Sequence, residues 1–108
     1  MYQYSAEVTN VVDGDTIDLN IDLGMGVHVY ERCRLLGINA PEMRGKTKDA
    51  GIEARDYLAA LLSGELCIHT TKDKKGKYGR YLVAVFNEMG VDVNQEMLAA
   101  GMAVPFMA

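Results

Sequence analysis

No stretch of the 108 residues approaches the roughly 20 consecutive apolar positions that a bilayer-crossing helix needs. The opening Met1-Tyr2-Gln3-Tyr4 lacks the basic start and greasy run of an export signal. Together these absences lead to the expectation of a soluble, cytoplasmic chain with no membrane partner. Cysteine is scarce: Cys33 and Cys67 show no CxxC spacing, sit in strand-like segments, and read as buried thiols. Repeats, linkers and low-complexity tracts are also missing. Length and a hydrophobic content of 49% then fit one globular domain spanning residues 1–108.

Positive charge is absent from both ends. Residues 1–31 hold six carboxylates and no Lys or Arg, and residues 81–108 hold three carboxylates and none. Ten of the eleven basic residues fall in two segments, Arg32, Arg34, Arg44, Lys46 and Lys48, then Lys72, Lys74, Lys75, Lys77 and Arg80. The net charge of −4 would argue against a polyanionic partner if the charges were evenly mixed. If folding joins the two basic segments beside the acidic first third, a cationic rim surrounds an anionic pocket, which suits a polyanion docked on a bound cation. Two solvated lysine-rich loops explain the same composition.

Residues 2–12 alternate loosely around Val8, Val11 and Val12, and read as a strand ending at an Asp-Gly turn. Ile17, Leu19, Ile21 and Leu23 then alternate with Asp18, Asn20 and Asp22, the pattern of a strand with one wet face. Residues 24–26 turn the chain, 27–37 form a third strand, and 38–48, with Pro41 and Gly45, read as a loop. Asp49 is the expected N-cap of a helix whose Ala54, Leu58, Leu61 and Leu62 share a face, ended by Gly64. Strands follow at 66–71 and 81–86, joined by a polar loop. Asp92 and Gln95 resemble a capping box that opens a short helix with Val93, Met97 and Leu98 inward. Five strands with a helix between the third and fourth, and a short C-terminal helix, predict an α+β, mainly β, OB-fold barrel, a scaffold that often binds oligonucleotides.

Three polar segments fall at the expected barrel rim. Asp13-Gly14-Asp15-Thr16 holds two carboxylates close in a tight turn, and hard oxygens of this kind suit Ca²⁺ or Mg²⁺. From Arg34 to Glu42 the chain carries an Arg able to clamp a phosphate, the amide oxygen of Asn39, and a carboxylate able to take a proton from water. Lys77-Tyr78-Gly79-Arg80 adds a glycine that permits close approach and an Arg able to neutralise charge on a pentavalent phosphorus. Taken singly, the three read equally well as a hairpin turn, a loop start and a lysine-rich loop.

Taken in order, DGDT, RLLGINAPE, a helix, KYGR, Asp92-Val93-Asn94 and Gly101-Met102-Ala103, the sequence resembles the staphylococcal nuclease (thermonuclease) family over residues 8 to about 103. The resemblance implies an OB-fold barrel and Ca²⁺-dependent cleavage of DNA or RNA, preferably single-stranded, with low sequence specificity. One Ca²⁺ per domain is implied, with Mg²⁺ or Mn²⁺ as alternatives. Asp15 then matches a metal ligand, Asn39 the position of a second ligand carboxylate, and Ala40 a ligand through its carbonyl. Glu42 matches the general base, and Arg34 and Arg80 the pair that grips the scissile phosphate. Lys77 and Tyr78 match positions that touch a terminal phosphate and nucleotide, and Asp13 and Thr16 match supports for Asp15.

The main departure is Asn39. Losing one charge at about 4 Å costs up to ~4 kcal/mol at an effective dielectric near 20, so Ca²⁺ affinity is expected to fall tenfold or more. Gly76 stands where the family often has Asp. The tail 104–108 ends where family members continue into base-stacking aromatics; Phe106 offers one stacking face, while the apolar tail either covers the core or meets a second chain. A monomer is expected, with a dimer through that tail as the alternative. Two rival readings keep the barrel without the chemistry: a catalytically weakened nucleic-acid-binding module, and a protein-interaction module.

Overall fold

Strict alternation builds the centre of the molecule. The computed structural model describes residues 2–72 and 81–106. In it Ile17, Leu19 and Ile21 of β2 (Thr16–Gly24) are buried, while on the other face Asp18 and Asn20 are half-buried and Asp22 is exposed. β2 pairs antiparallel with β1 (Tyr2–Asp13) on one side and β3 (Val27–Leu35) on the other. The β2–β3 turn runs at positive φ through Gly24, Met25 and Gly26 (85°, 55° and 76°), a path that two of the three residues follow with no Cβ to clash. β5 (Leu66–Lys72) pairs antiparallel with β1 and β6 (Tyr81–Phe86), and β6 pairs parallel with Cys33–Leu35 of β3. The result is a closed barrel in the order β1-β2-β3-β6-β5, the OB-fold expected from strand order.

Between β3 and β5 lies α1 (Lys48–Leu61), which buries Gly51, Ala54 and Leu58 against the barrel end. A fully buried Leu such as Leu58 contributes about 1.5–3 kcal/mol to folding, so nearly four turns of helix dock on a few side chains. The helix enters differently from the expectation at Asp49. Its N-cap position is Thr47, after a 3-10 turn over Gly45–Thr47, and the Thr47 hydroxyl does not cap. It donates instead to the carbonyls of Glu42 (2.7 Å) and Arg44 (3.2 Å), folding the preceding loop back on itself. Asp49 falls in the first helical turn, where its charge still favours the positive end of the helix dipole.

The third strand, expected to run to Gly37, stops at Leu35, and the segment expected as loop holds a short strand β4 (Ile38–Asn39). β4 pairs with β7 (Val104–Pro105) through Ile38↔Pro105 and Asn39↔Val104. The C-terminal tail, expected to cover the core or meet a second chain, therefore adds a strand beside the loop carrying Asn39, as far as it is described; Met107 and Ala108 lie outside the described residues. Two-residue strands have no period to read, and Pro105 argues against a strand in sequence terms.

α2 (Val93–Ala99) is capped as expected, the Asp92 carboxylate accepting the Gln95 N–H at 3.1 Å. Its buried Asn94 works as a staple. The amide oxygen accepts the Val85 N–H (3.1 Å), and the amide nitrogen donates to the carbonyls of Leu36 (2.8 Å) and Val83 (3.1 Å). Cys33 is fully buried, and burial pushes its thiol up to about 12. Cys67 corrects the expectation of two buried thiols: it is half-buried and takes a 3.1 Å hydrogen bond from the Gln3 amide. Among the described residues no helix is long and apolar enough to cross a membrane.

Candidate active site

The Asp-Gly turn between β1 and β2 is tighter than an ordinary hairpin turn because it is wedged against two other segments. A Cβ on Gly14 would lie 2.7 Å from the Cβ of Ala40 and 2.8 Å from that of Ala54, so only glycine lets the turn sit this close to the β4 loop and α1. Asp15 follows in a fixed conformation. Its N–H donates to Asp13 Oδ1 (3.0 Å), the local closure of an Asx-turn, and its carbonyl accepts the Leu35 N–H (2.8 Å). The side chain, 5% exposed, accepts from the Thr16 hydroxyl at Oδ1 (3.0 Å) and from the Ala40 N–H at Oδ2 (2.9 Å).

Arg34 reaches the same point from β3. One guanidinium nitrogen donates to Asn39 Oδ1 at 2.8 Å and lies 3.6 Å from Asp15 Oδ2. Oxygens from two segments 24 positions apart thus converge on one positive group. Phe106, just after β7, places its ring 5.1 Å from the guanidinium carbon and ties its own N–H to the Gly37 carbonyl at 2.9 Å.

Glu42 does not join this group. Its side chain is 71% exposed and pairs with Arg44 at 3.3 Å. Among the described residues it makes no hydrogen bond to Asp15, Asn39 or Arg34. Its backbone is nevertheless held firmly, because Gly51 of α1 packs on it: a Cβ there would lie 2.5 Å from the Glu42 carbonyl oxygen and 2.8 Å from the Met43 Cα. Helix propensity alone predicts that Gly51→Ala gains up to about 1 kcal/mol. The close approach reverses the sign, and we expect a loss of about 1–3 kcal/mol in urea unfolding as the backbone gives way. A stabilised variant would mean that the Glu42 loop does not rest on the helix.

Burial works against the charge of Asp15, but the Asp13 side chain, the Ala40 N–H, the Arg34 guanidinium and the Thr16 hydroxyl outweigh it and hold the carboxyl below its usual range. Asp13 moves the other way, pushed up by burial and then by Asp15 beside it. Asp15 is therefore the member of the pair that gives up its proton more readily. The donor set is all oxygen, which fits a hard cation such as Ca²⁺ or Mg²⁺. Among the described residues no three His, Cys, Asp or Glu side chains gather to hold an ion. A cation here would draw on Asp15, the Asn39 amide oxygen, the Ala40 carbonyl and water.

The structure thus brings Asp13, Asp15, Thr16, Arg34, Asn39 and Ala40 together and leaves Glu42 beside them on an exposed loop. Lys77, Tyr78 and Arg80 lie outside the described residues, as does nearly all of the second basic segment. In the first basic segment Arg32 is paired with Asp18 at 2.8 Å and Arg44 with Glu42, so Arg34 is the member seated at Asp15. Three contributors escaped the sequence reading. Gly51 carried a usable signal, since a glycine inside a helical pattern gives up about 1 kcal/mol relative to Ala. Asn94 stood in the sequence only as part of the Asp92-Val93-Asn94 match, with nothing to show what it bonds, and the contact between Phe106 and Arg34 carried no signal.

A family model described as "Staphylococcal nuclease homologue" matches residues 32–107. Over 96 residues the chain is 36% identical to an "Uncharacterized endonuclease" of Escherichia coli O157:H7, covering 89% of this chain and 57% of that protein. It is 34% identical over 111 residues to "Endonuclease YhcR" of Bacillus subtilis (strain 168), covering 94% of this chain and 9% of that much longer protein. It is also 30% identical over 102 residues to "Succinoglycan biosynthesis protein ExoI" of Rhizobium meliloti (strain 1021), covering 88% of this chain and 49% of that protein. The chain therefore spans little more than half the length of the first of these relatives.

Proposed function

The chain belongs to the staphylococcal nuclease homologues, and we propose that it is a divalent-cation-dependent nuclease that hydrolyses phosphodiester bonds of DNA or RNA with little sequence preference. The observation that supports this most is the convergence of Asp15, Asn39 and Arg34 on one point at the barrel rim. Asp15, Asn39 and the Ala40 carbonyl would hold Ca²⁺, or Mg²⁺ or Mn²⁺ in its place. Such an ion neutralises charge on a bound phosphate. Arg34 grips the scissile phosphate, joined by Arg80, while Lys77 and Tyr78 contact the neighbouring phosphate and nucleotide. Glu42, once released from its pair with Arg44, takes the proton of the water whose oxygen bonds to phosphorus, and the phosphorus–oxygen bond on the 5′ side breaks, its oxygen leaving with a proton from solvent. Thr16 and Asp13 keep the Asp15 carboxylate oriented.

Purified protein incubated with single-stranded DNA and millimolar Ca²⁺ should cleave it, with Glu42→Gln and Arg80→Ala much weaker. No cleavage above background with Ca²⁺ or Mn²⁺ would sink the enzyme reading. A second reading, a module that binds nucleic acid without cutting it, is favoured by the amide at position 39. Asn39→Asp separates the two. If the amide limits the site, the added charge should tighten Ca²⁺ binding about tenfold or more by calorimetry and raise cleavage; an unchanged affinity would show a site adapted to the amide.

A further inference from the structure

We propose that Phe106 is a positioning residue for Arg34, its ring keeping the guanidinium in the site when the oxygens that now hold it are claimed by another positive charge. The role it supports, phosphate contact by Arg34, rests on the nuclease reading above. Two of the guanidinium's three partners, Asn39 Oδ1 (2.8 Å) and Asp15 Oδ2 (3.6 Å), are the oxygens that a cation would take. A cation on them repels Arg34 and removes its hydrogen-bond acceptors together. The third partner does not compete: the face of Phe106, 5.1 Å from the guanidinium carbon, attracts positive charge without supplying an oxygen ligand.

The ring is also built in. The rungs Ile38↔Pro105 and Asn39↔Val104, with the bond from the Phe106 N–H to the Gly37 carbonyl (2.9 Å), fix Phe106 and Asn39 in one ladder. With 43% of the residue exposed, Phe106 stands outside the buried core, so its ring is available for a surface task. A neutral amide at position 39 holds a guanidinium less strongly than a carboxylate does, which leaves more of the positioning to the ring.

Two measurements test the proposal. In ¹⁵N-labelled protein the Arg34 Nε–Hε resonance, assigned by its loss in Arg34→Lys, should be displaced by the ring current. It should return to the free-arginine position in Phe106→Leu and stay displaced in Phe106→Tyr. In anisotropy titrations with a labelled single-stranded oligonucleotide, Phe106→Leu should weaken Kd about two- to sixfold, the worth of one cation–π contact, and should cost nothing further in an Arg34→Ala background. An undisplaced wild-type resonance overturns the proposal, as do equal losses in both backgrounds, which would mean that the ring acts without Arg34. If the unmodified chain binds no oligonucleotide, the nuclease reading fails and the resonance alone decides the role of Phe106.

Discussion

Asn94→Ala should cost about 3 kcal/mol of folding stability, within a range of about 2–5, read as a lower midpoint in urea unfolding. Asn94 is a buried polar side chain in a seven-residue helix, and both ends of its amide are used. Truncation strands the buried Val85 N–H, whose lost partner costs about 1–3 kcal/mol, and the half-buried Leu36 carbonyl, which loses less. The Val83 carbonyl suffers less, since the Leu36 N–H still donates to it at 2.8 Å. Asn94→Asp should be no better, because it keeps the acceptor for Val85 but turns a buried charge toward two carbonyls. For a domain with a total stability of about 5–15 kcal/mol this is a large share. The damage also reaches the site, because Leu36 lies between Arg34 and Asn39. A loss below about 1 kcal/mol would show that the α2 staple is not what holds the β3–β4 turn.

The second large effect is expected at Asp15. Asp15→Asn keeps an oxygen to accept the Ala40 N–H and so should leave the fold intact, yet it removes the only buried negative charge in the described part of the site. Cleavage should fall about 100-fold or more, the size seen when one preorganised electrostatic contact is lost. A thermal melt beside the assay separates this from unfolding.

The stability cost of the same change should depend on pH. The Asp15 carboxyl titrates below its usual range when folded, so its contribution is present above the ordinary carboxylate value near 4 and fades as pH falls through the lowered folded value. Asp13, pushed up, has the opposite sign: the folded state gains as pH drops through its raised value, and part of that push comes from Asp15 itself. The gap between wild type and Asp15→Asn should therefore be widest near neutrality and close below about pH 4. A gap that widens in acid would overturn the lowered direction given to Asp15.

Much of the barrel was legible because its strands announce themselves. The alternation of Ile17, Leu19 and Ile21 with Asp18, Asn20 and Asp22 allows one face only, and a one-residue slip would bury three polar side chains. α1 and α2 were legible from apolar spacing, and Asp92 from its offset to Gln95. What escaped were features with no period. Thr47 precedes α1 as N-cap because a 3-10 turn leads in, and nothing in the sequence favours it over Asp49. β4 and β7 are too short to alternate. Asn94 is a polar letter that reads as solvent-facing until the carbonyls around it are known.

The site shows the same division. That Asp13, Asp15, Arg34 and Asn39 belong together came from ordered motifs resembling a family, since singly each motif fitted an ordinary turn or loop. How they meet depends on Gly14, whose missing side chain lets the first hairpin lie against Ala40 and Ala54. An absence of atoms that brings two loops into contact has no signature in hydropathy. Glu42 was legible as a residue type but not as a position, because its loop is set by the Thr47 hydroxyl and by Gly51.

The ladder between β4 and β7 bears on how this protein should be handled. It delivers the backbone at Phe106 to the lip over Arg34. A purification tag or fluorescent fusion placed just after Phe106 would begin beside the Arg34 guanidinium and crowd that lip. One joined ahead of Tyr2 starts at the far end of a twelve-residue strand, about 35 Å along from Asp13, and leaves the lip clear.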